Sequence, residues 1–189
     1  MQKVDRPVRY LGLDLYEPSI LWCKDNLALP GFEFRHLNVY NPGLNPAGTE
    51  RVPFGLDETF TLVNAHSVFT HIIERNLAFF LAECAATLKP DGVLRSTWFL
   101  FDKAHYPMMQ EFQNCLYINA DDPSNATIYD KAFVRDVFAS VGLQITSAIA
   151  PAIRGFQWEI YARKRQGAHA DFPEDTAALG INRPPSRID

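Results

Sequence analysis

The sequence predicts an α/β fold built on a mostly parallel sheet with helices on both faces and an antiparallel pair of strands at its C-terminal end. Apolar, strand-like runs alternate along the chain with segments whose apolar residues recur at helical spacing. Short turns join these segments, and a right-handed crossover between parallel strands needs such a helix. The last two strand-like runs are separated only by residues 150–155, which is too short for a crossover. These two runs are therefore expected to pair antiparallel.

The first part of the chain is predicted to hold two short strands and one helix. The predicted elements are a strand over Val8–Leu15, a helix over Glu17–Leu29 and a strand over Phe32–Leu37. Pro30-Gly31 ends the helix, because proline cannot continue it and glycine is favoured at a helix C-terminus. Residues 38–58 are rich in Pro, Gly and Asn, which is typical of a long loop.

Regular structure resumes at Phe60. The predicted elements are a strand over Phe60–Ala65, a helix from Ile73 to Leu88, a strand over Val93–Phe101, a helix over residues 133–141, and strands over Leu143–Ile149 and Phe156–Ala162. Lys89-Pro90-Asp91-Gly92 predicts a tight turn between the second helix and the strand after it. Residues 165–189 lack periodicity and are expected to form a disordered tail.

Length and composition limit the classes of function. The 189 residues, 47% hydrophobic, can bury one sizeable core, which suggests a single domain with a tail. The 18 Lys and Arg are scattered and outnumbered by 22 Asp and Glu, so a nucleic-acid partner is not expected. Three widely spaced cysteines fit a reducing, cytoplasmic environment. The sequence has no apolar run of the roughly 18 residues that a membrane span needs.

Polar residues follow the predicted strands where an open parallel sheet binds its ligands, beyond the carboxyl ends. Asp14 ends the first strand, and a carboxylate there can accept both hydroxyls of a ribose; the alternative is a turn or helix cap. Asn38 follows the second strand and can hydrogen-bond an adenine amino group while Val39 packs on the ring. An Asn-Pro turn is the alternative explanation for Asn38. After the third strand, His66-Ser67 and Thr70-His71 gather two imidazoles and two hydroxyls.

The order of these motifs resembles one known family. YLGLD, FRHLNVYN, FTLVNAHSVFTHI, FFLAECAATLKPDGVL, GLQI and RGFQWEIYARK are similar to class I S-adenosylmethionine-dependent methyltransferases from their second strand onward. The resemblance covers roughly residues 8–164, and SVFTH is similar to bacterial enzymes that methylate small molecules. It implies a Rossmann-like sheet, S-adenosylmethionine as cosubstrate and a small-molecule acceptor.

The resemblance also implies roles for individual residues. Asp14, beside Leu15, would bind the ribose of the cosubstrate, and Asn38 and Val39 would lie near its adenine. The segment after the third predicted strand would face the methionyl part and the acceptor; its residues are Ala65, His66 and Ser67.

The first strand of the family and its Gly-rich turn have no counterpart in the sequence. Residues 1–164 are therefore interpreted as a partial domain in which methyl transfer is impaired unless an upstream segment or a second chain supplies the missing strand. In the numbering of the complete fold, the expected strand order is third, second, a vacant place, fourth, fifth, seventh, sixth.

A methyl group on a sulfonium is already electrophilic, so the protein mainly has to orient the acceptor. For a hydroxyl acceptor a general base helps, and His71 is the candidate, with His66 as the alternative. Residues 102–129 are rich in aromatic residues and are interpreted as a lid or, equally, as a packed surface excursion. Asp121-Asp122 is typical of a solvated turn, so no metal is expected.

Two other classes of function compete. A nicotinamide-dependent oxidoreductase shares the carboxylate at a strand end, but it needs a glycine fingerprint one strand earlier. A non-catalytic remnant that binds a partner is the second, because the missing strand belongs at the centre of the sheet.

Overall fold

A computed structural model of the chain describes residues 9–153 and 156–173. No helix within these ranges is long and apolar enough to cross a membrane. The described residues form the strands β1 (Tyr10–Asp14), β2 (Phe32–His36), β3 (Phe60–Ala65), β4 (Leu88–Phe101), β5 (Cys115–Tyr117), β6 (Thr127–Asp130), β7 (Leu143–Ile149) and β8 (Trp158–Lys164). The α-helices are α1 (Glu17–Asn26), α2 (Glu74–Thr87) and α3 (Lys131–Ser140). The fold is mixed α/β, as the sequence predicts.

The chain divides into two compact units, residues 1–54 and residues 55–189. The first unit holds a two-stranded parallel sheet and the second holds a six-stranded mixed sheet. The length had suggested one domain, but length limits only the size of a core. It does not reveal where backbone pairing between strands is interrupted.

The first unit is a single β-α-β crossover. β1 and β2 pair in parallel from Tyr10 opposite Phe32 to Asp14 opposite His36, and α1 connects them. Gly12 is required here, because an added Cβ would lie 2.8 Å from the Phe34 ring. α1 ends at Asn26, three residues before the predicted end. Pro30 disfavours the helical conformation of the residue before it, so the chain leaves the helix early.

The second unit is ordered around β4. The strand order is β5-β6-β4-β8-β7, and β3 also pairs with β4. β3 and β6 run parallel to β4, whereas β8 is antiparallel both to β4 and to β7. This arrangement confirms the predicted order fourth, fifth, seventh, sixth and the antiparallel final pair. β5 and β6 were not predicted, because they contain only three and four residues within a polar segment.

Alternate residues of β4 and β8 face opposite sides of the six-stranded sheet. The buried side carries Leu94, Ser96 and Trp98 of β4 and Trp158, Ile160 and Ala162 of β8. Phe69 stacks on Trp98 with ring centroids 4.6 Å apart. Side chains from α2 and α3 complete this core: Leu77, Leu81, Val134 and Phe138. The opposite side carries Arg95, Thr97, Phe99, Glu159 and Tyr161, and it is this side that opens to the cleft described below.

The segment predicted as a helix-to-strand turn lies inside β4. β4 begins at Leu88, directly after α2. Phe60 pairs with Leu88 and Leu62 pairs with Val93, so residues 89–92 bulge out of register. An added Cβ at Gly92 would lie 2.9 Å from the Phe60 carbonyl oxygen. The turn residues are therefore present, and they form a bulge at the start of the strand.

Residues 165–173, which we call the C-terminal strap, lie along the outer edge of β7. The amides of Arg165 and Ala170 donate to the carbonyls of Gly142 and Ile145, each at 2.8 Å. His169 Nδ1 accepts from the Ile145 amide at 3.0 Å. This part of the predicted disordered tail is thus bound to the sheet, because it satisfies backbone groups of an edge strand. Residues 174–189 of that tail lie outside the described residues.

Candidate functional site

Asp14 and Leu15 follow β1 in the first unit. Asp14 Oδ1 accepts from the Tyr16 amide at 2.7 Å, and the Leu15 carbonyl lies 3.0 Å from His36 Nε2. The Asp14 side chain is exposed, and within the described ranges no other hydrogen bond to its carboxylate is found. One carboxylate oxygen therefore fixes the turn into α1, and the other is available to a ligand hydroxyl.

Asn38 and Val39 follow β2 at the same edge of the two-stranded sheet. Asn38 Oδ1 accepts from Asn45 Nδ2 at 3.0 Å, and its backbone carbonyl accepts from the Thr49 amide at 2.8 Å. Val39 is buried. Gly48 approaches so closely that an added Cβ would lie 2.5 Å from the Val39 carbonyl carbon. The loop is held in one conformation, and Asn38 keeps one carbonyl lone pair for an amino group.

Ala65, His66 and Ser67 follow β3 in the second unit. Ala65 is buried, whereas the His66 side chain is exposed. Ser67 has a positive φ of 53°, and its amide donates to Thr97 Oγ1 at 2.7 Å. Its hydroxyl oxygen lies 2.7 Å from Gln157 Nε2 and 3.1 Å from Gln157 Oε1. The strand end is therefore held from β4 and from the residue before β8.

His66 lines an open cleft of about 570 Å³ in the second unit. Its polar lining comprises His66, Arg95, Thr97, Gln157 and Glu159, and its apolar lining comprises Phe99, Pro151, Ala152, Ile153 and Phe156. A site with apolar walls and a few placed polar groups is the usual form of a small-molecule site.

An ion pair neutralises the polar floor of the cleft. Arg95 donates to the Glu159 carboxylate, and its second amino group donates to Asn64 Oδ1 at 2.9 Å. The Tyr161 hydroxyl also donates to Glu159. The bonds from Arg95 and Tyr161 hold the pKa of Glu159 below its ordinary value, and Glu159 raises the pKa of Arg95. Both side chains thus stay charged, and their charges cancel.

His71 ends a short 3₁₀ helix, Phe69–His71. Its Nδ1 lies 2.9 Å from the Ser124 carbonyl oxygen. Because a carbonyl can only accept, Nδ1 is the donor in this contact, and in a neutral ring Nε2 would hold the lone pair. This tautomer is the one that a general base needs. The described lining of the cleft includes His66 but not His71.

Residues 102–129 contain β5, the start of β6 and two short 3₁₀ helices. Lys103 Nζ donates to the Glu111 and Gln113 carbonyls at 2.7 and 3.1 Å, which fixes the base of this excursion. Met108 and Phe112 are 88% and 77% exposed. These two apolar side chains therefore do not pack in a core of this excursion, and its interpretation as a lid stays a prediction.

The middle of this segment is bound to Glu74 of α2. The Glu74 carboxylate accepts from Asn114 Nδ2 at 2.9 Å and from Cys115 Sγ at 3.2 Å. Burial raises the pKa of Cys115 to about 11 and that of Tyr117 to about 12. Both groups therefore stay protonated at neutral pH and can serve as hydrogen-bond donors.

The sequence-predicted residues fall into two groups. Asp14, Leu15, Asn38 and Val39 lie together in the first unit, and Ala65, His66 and Ser67 lie together in the second. Sequence reasoning missed Arg95, Thr97, Gln157 and Glu159. The alternation within Val93–Phe101 was a usable signal, because residues 95, 97 and 99 must share the face opposite Trp98. No local pattern indicated Gln157.

Comparison with known proteins gives one family and a set of similar folds. Residues 2–95 match a family model described as a methyltransferase domain. LepI in complex with SAM has a TM-score of 0.54 at 9% identity, over 85% of this chain and 37% of that chain. The O-methyltransferase NcsB1 from neocarzinostatin biosynthesis, in complex with S-adenosyl-L-homocysteine and 1,4-dihydroxy-2-naphthoic acid, has a TM-score of 0.51 at 12% identity, over 82% of this chain and 42% of that one.

A third similar structure is the 1,6-didemethyltoxoflavin-N1-methyltransferase of Burkholderia thailandensis, with bound 1,6-didemethyltoxoflavin and S-adenosylhomocysteine. Its TM-score is 0.56 at 13% identity, over 84% of this chain and 62% of that chain. The chain thus spans between 37% and 62% of the length of these three proteins. At these identities the likeness concerns the fold.

Proposed function

We propose that this chain takes part in methyl transfer from S-adenosylmethionine to a small-molecule acceptor, because residues 2–95 match a methyltransferase-domain family model and the fold is similar to that of a methyltransferase with bound S-adenosylhomocysteine. The observation that carries the proposal is the position of polar side chains at the carboxyl ends of the parallel strands of both units. Small molecules are also the ligands named for two of the similar structures.

The residues after β1 and β2 have the chemistry to hold the nucleoside part of the cosubstrate. We propose that the Asp14 oxygen not bonded to Tyr16 accepts from a ribose hydroxyl, and that Asn38 accepts from the adenine amino group. Leu15 and Val39 would supply apolar contact beside them. We propose that the methionyl part lies against Ala65, His66 and Ser67.

When bound, S-adenosylmethionine supplies an electrophilic methyl group on a sulfonium. The protein then has to hold the acceptor in line and, for a hydroxyl acceptor, to remove its proton. We propose His71 for the proton, since the contact between Nδ1 and the Ser124 carbonyl leaves Nε2 as the ring nitrogen that can accept it. His66, which lines the cleft, is the alternative base.

We also propose that an upstream segment or a second chain supplies a strand beside β3. Within the described six-stranded sheet β3 pairs only with β4, so one edge of β3 leaves backbone donors and acceptors open to a further strand. We propose that methyl transfer reaches full activity only when a strand pairs with this edge of β3. A partner-binding protein without catalysis is the outcome to expect if pairing occurs without cosubstrate binding.

Isothermal titration with S-adenosylhomocysteine tests the proposal, because this product of methyl transfer binds the cosubstrate site without turnover. We expect saturable binding by the wild-type chain, strengthened when the upstream sequence is included. ATP and NADH serve as control ligands, since each shares the adenosine but lacks the homocysteine part. Equal affinity for all three, or no binding by either form of the protein, would contradict a methyltransferase site.

A further inference from the structure

We infer that Gln157 and Thr97 are positioning residues, which hold the turn after β3 in a left-handed conformation and so aim His66 into the cleft. This inference rests on the function proposed above. It assigns a role to two residues that the sequence analysis did not name as candidate site residues.

The turn is strained at Ser67. Its φ of 53° lies in the left-handed region, and among the described non-glycine residues it is the only positive φ. A residue with a Cβ is unfavourable in this conformation, because the Cβ crowds the following carbonyl oxygen. Such a residue persists only where its surroundings hold it, and strain of this kind concentrates at functional sites.

Thr97 of β4 and Gln157, the residue before β8, hold Ser67 by hydrogen bonds. Thr97 Oγ1 accepts from the Ser67 amide at 2.7 Å, and Thr97 is only 4% exposed. Gln157 Nε2 lies 2.7 Å and Gln157 Oε1 lies 3.1 Å from the Ser67 hydroxyl. One contact fixes the backbone of Ser67 and the other fixes its side chain. Together they oppose relaxation of the turn toward a right-handed conformation.

The choice of serine follows from these contacts. Glycine could adopt the left-handed turn without strain, but it has no hydroxyl for Gln157 to bind. Serine accepts the strain and gains an anchor to the residue preceding β8. The anchor matters because β8 pairs with β4 at the centre of the sheet, which makes it a fixed reference.

The residue that this turn directs is His66. It precedes Ser67 in the chain, it is exposed, and it lines the same cleft as Thr97 and Gln157. Its imidazole is also close enough to Glu159 for a positive charge there to lower the pKa of that carboxyl, after the larger effects of Arg95 and Tyr161. A rotation of the backbone at Ser67 would therefore move His66 relative to the ion pair on the cleft floor.

Coupling between two substitutions tests the inference. We expect Gln157→Ala to weaken S-adenosylhomocysteine binding by ~10-fold or more, because small displacements of positioned groups are costly. In a Ser67→Gly background the same substitution should weaken binding much less, since glycine takes the turn without an anchor. Melting temperatures of all the variants show whether a change in affinity merely follows a change in stability.

Thr146→Ala is the matched control, since it removes one exposed bond, from Thr146 Oγ1 to the Tyr161 carbonyl, in the same sheet. Circular dichroism confirms that each variant is folded. If Gln157→Ala does not fold, Gln157→Asn is used instead, because the asparagine side chain is one methylene shorter and its amide does not reach the Ser67 hydroxyl.

A second measurement is independent of cosubstrate binding. NMR backbone shifts of wild type should place Ser67 in the left-handed region, and those of Gln157→Ala should not. If wild type fails to bind S-adenosylhomocysteine but the shifts respond as expected, the proposed function is wrong and the role of Gln157 in holding Ser67 stands. If Ser67 stays left-handed in Gln157→Ala, or if Gln157→Ala weakens binding equally with serine and with glycine at position 67, that role is wrong.

Discussion

The guanidinium of Arg95 on β4 donates a hydrogen bond to the Glu159 carboxylate on β8, diagonally across the strand pair. The same guanidinium reaches Asn64 on β3 at 2.9 Å. One residue thus joins three neighbouring strands at the floor of the cleft. Since both charged side chains are roughly a quarter exposed, at 28% and 25%, the pair contributes at most about 1 kcal/mol to stability.

Acid should weaken the ion pair between Arg95 and Glu159. The pKa of Glu159 is lowered from 4.5, because Arg95 and then Tyr161 donate to its carboxylate. A carboxyl whose pKa is lower in the folded state stabilises the fold above its unfolded pKa, and loses that contribution as pH falls through the folded value. We expect the free energy of unfolding to decrease below about pH 4.5, and less steeply in Glu159→Gln. Urea denaturation at several pH values measures this, with Glu17→Gln as control; parallel curves for wild type and Glu159→Gln would contradict it.

Asp14 combines a turn contact with a proposed ligand contact, and two substitutions separate them. Asp14→Asn keeps the oxygen that accepts from Tyr16 but removes the charge, whereas Asp14→Ala removes both. Losing a charge-assisted hydrogen bond costs ~1.5 to 3 kcal/mol, so both variants should bind S-adenosylhomocysteine roughly 10- to 100-fold more weakly. Only Asp14→Ala should also lower the melting temperature. Unchanged affinity in Asp14→Asn would leave Asp14 as a turn residue alone.

The two histidines make different predictions. If His71 is the general base, His71→Ala should lower turnover ~100-fold or more and abolish the acidic limb of the pH–rate profile. Cosubstrate affinity should change little, because His71 does not line the cleft with His66. In His66→Ala, by contrast, we expect weaker cosubstrate binding with the acidic limb retained. The reverse pattern, with the limb lost only in His66→Ala, would transfer the base to His66.

The C-terminal strap should loosen in mild acid. Burial, with Arg165 and Arg135 nearby, lowers the pKa of His169 from 6.5, although Asp136 opposes this. The neutral ring accepts from the Ile145 amide, which a protonated ring cannot do. Because the unfolded chain binds the proton more readily, stability should fall as pH drops below about 6.5 toward the folded-state pKa.

Hydrogen exchange at the Ile145 amide reports this loosening directly. We expect its protection to fall with pH through this range in wild type and to be low at every pH in His169→Ala. His105→Ala removes an exposed histidine outside the strap and controls for general charge effects. Equal protection in wild type and His169→Ala would show that the ring does not hold the strap.

The open edge of β3 predicts a gain of stability from additional chain. A protein extended by its natural upstream sequence should melt roughly 5 °C higher than residues 1–189, since a new strand would add several backbone hydrogen bonds. An extension of equal length made of Gly and Ser is the matched control. A rise that depends on protein concentration would assign the added strand to a second chain. Equal melting temperatures for all three proteins would show that β3 needs no further strand.

The order of β3, β4, β8 and β7 was predictable from the resemblance of the motifs and the antiparallel final pair from its connection length, whereas the short strands β5 and β6 were missed. The short connection at residues 150–155 forces β7 and β8 to pair antiparallel, and any sequence with that spacing would show it. The strap was not predictable. Its contacts depend on His169 and Ala170 meeting Ile145, which is 24 residues from His169. The amino-acid composition of residues 165–173 does not indicate that this segment binds to Ile145.

Sequence reasoning pointed only to candidate residues at or just after the end of a strand. Asp14, Asn38 and Ser67 lie at strand ends, and general rules for parallel sheets point to such positions. Gln157 is distant in sequence and acts through Ser67, 90 residues away. Its role depends on the left-handed backbone at Ser67, which no pattern of residue types around His66-Ser67-Val68 specifies.

The order β4-β8-β7 also constrains how the chain can be made. β8, the last strand, lies between β4 and β7, although both precede it in the sequence. During synthesis, β4 and β7 emerge from the ribosome before the strand that joins them exists. The nascent chain must therefore carry unpaired edges until residue 164 is translated. We expect arrest before β8 to leave a chaperone-dependent intermediate, and completion of β8 to be the step that commits this unit to its native topology.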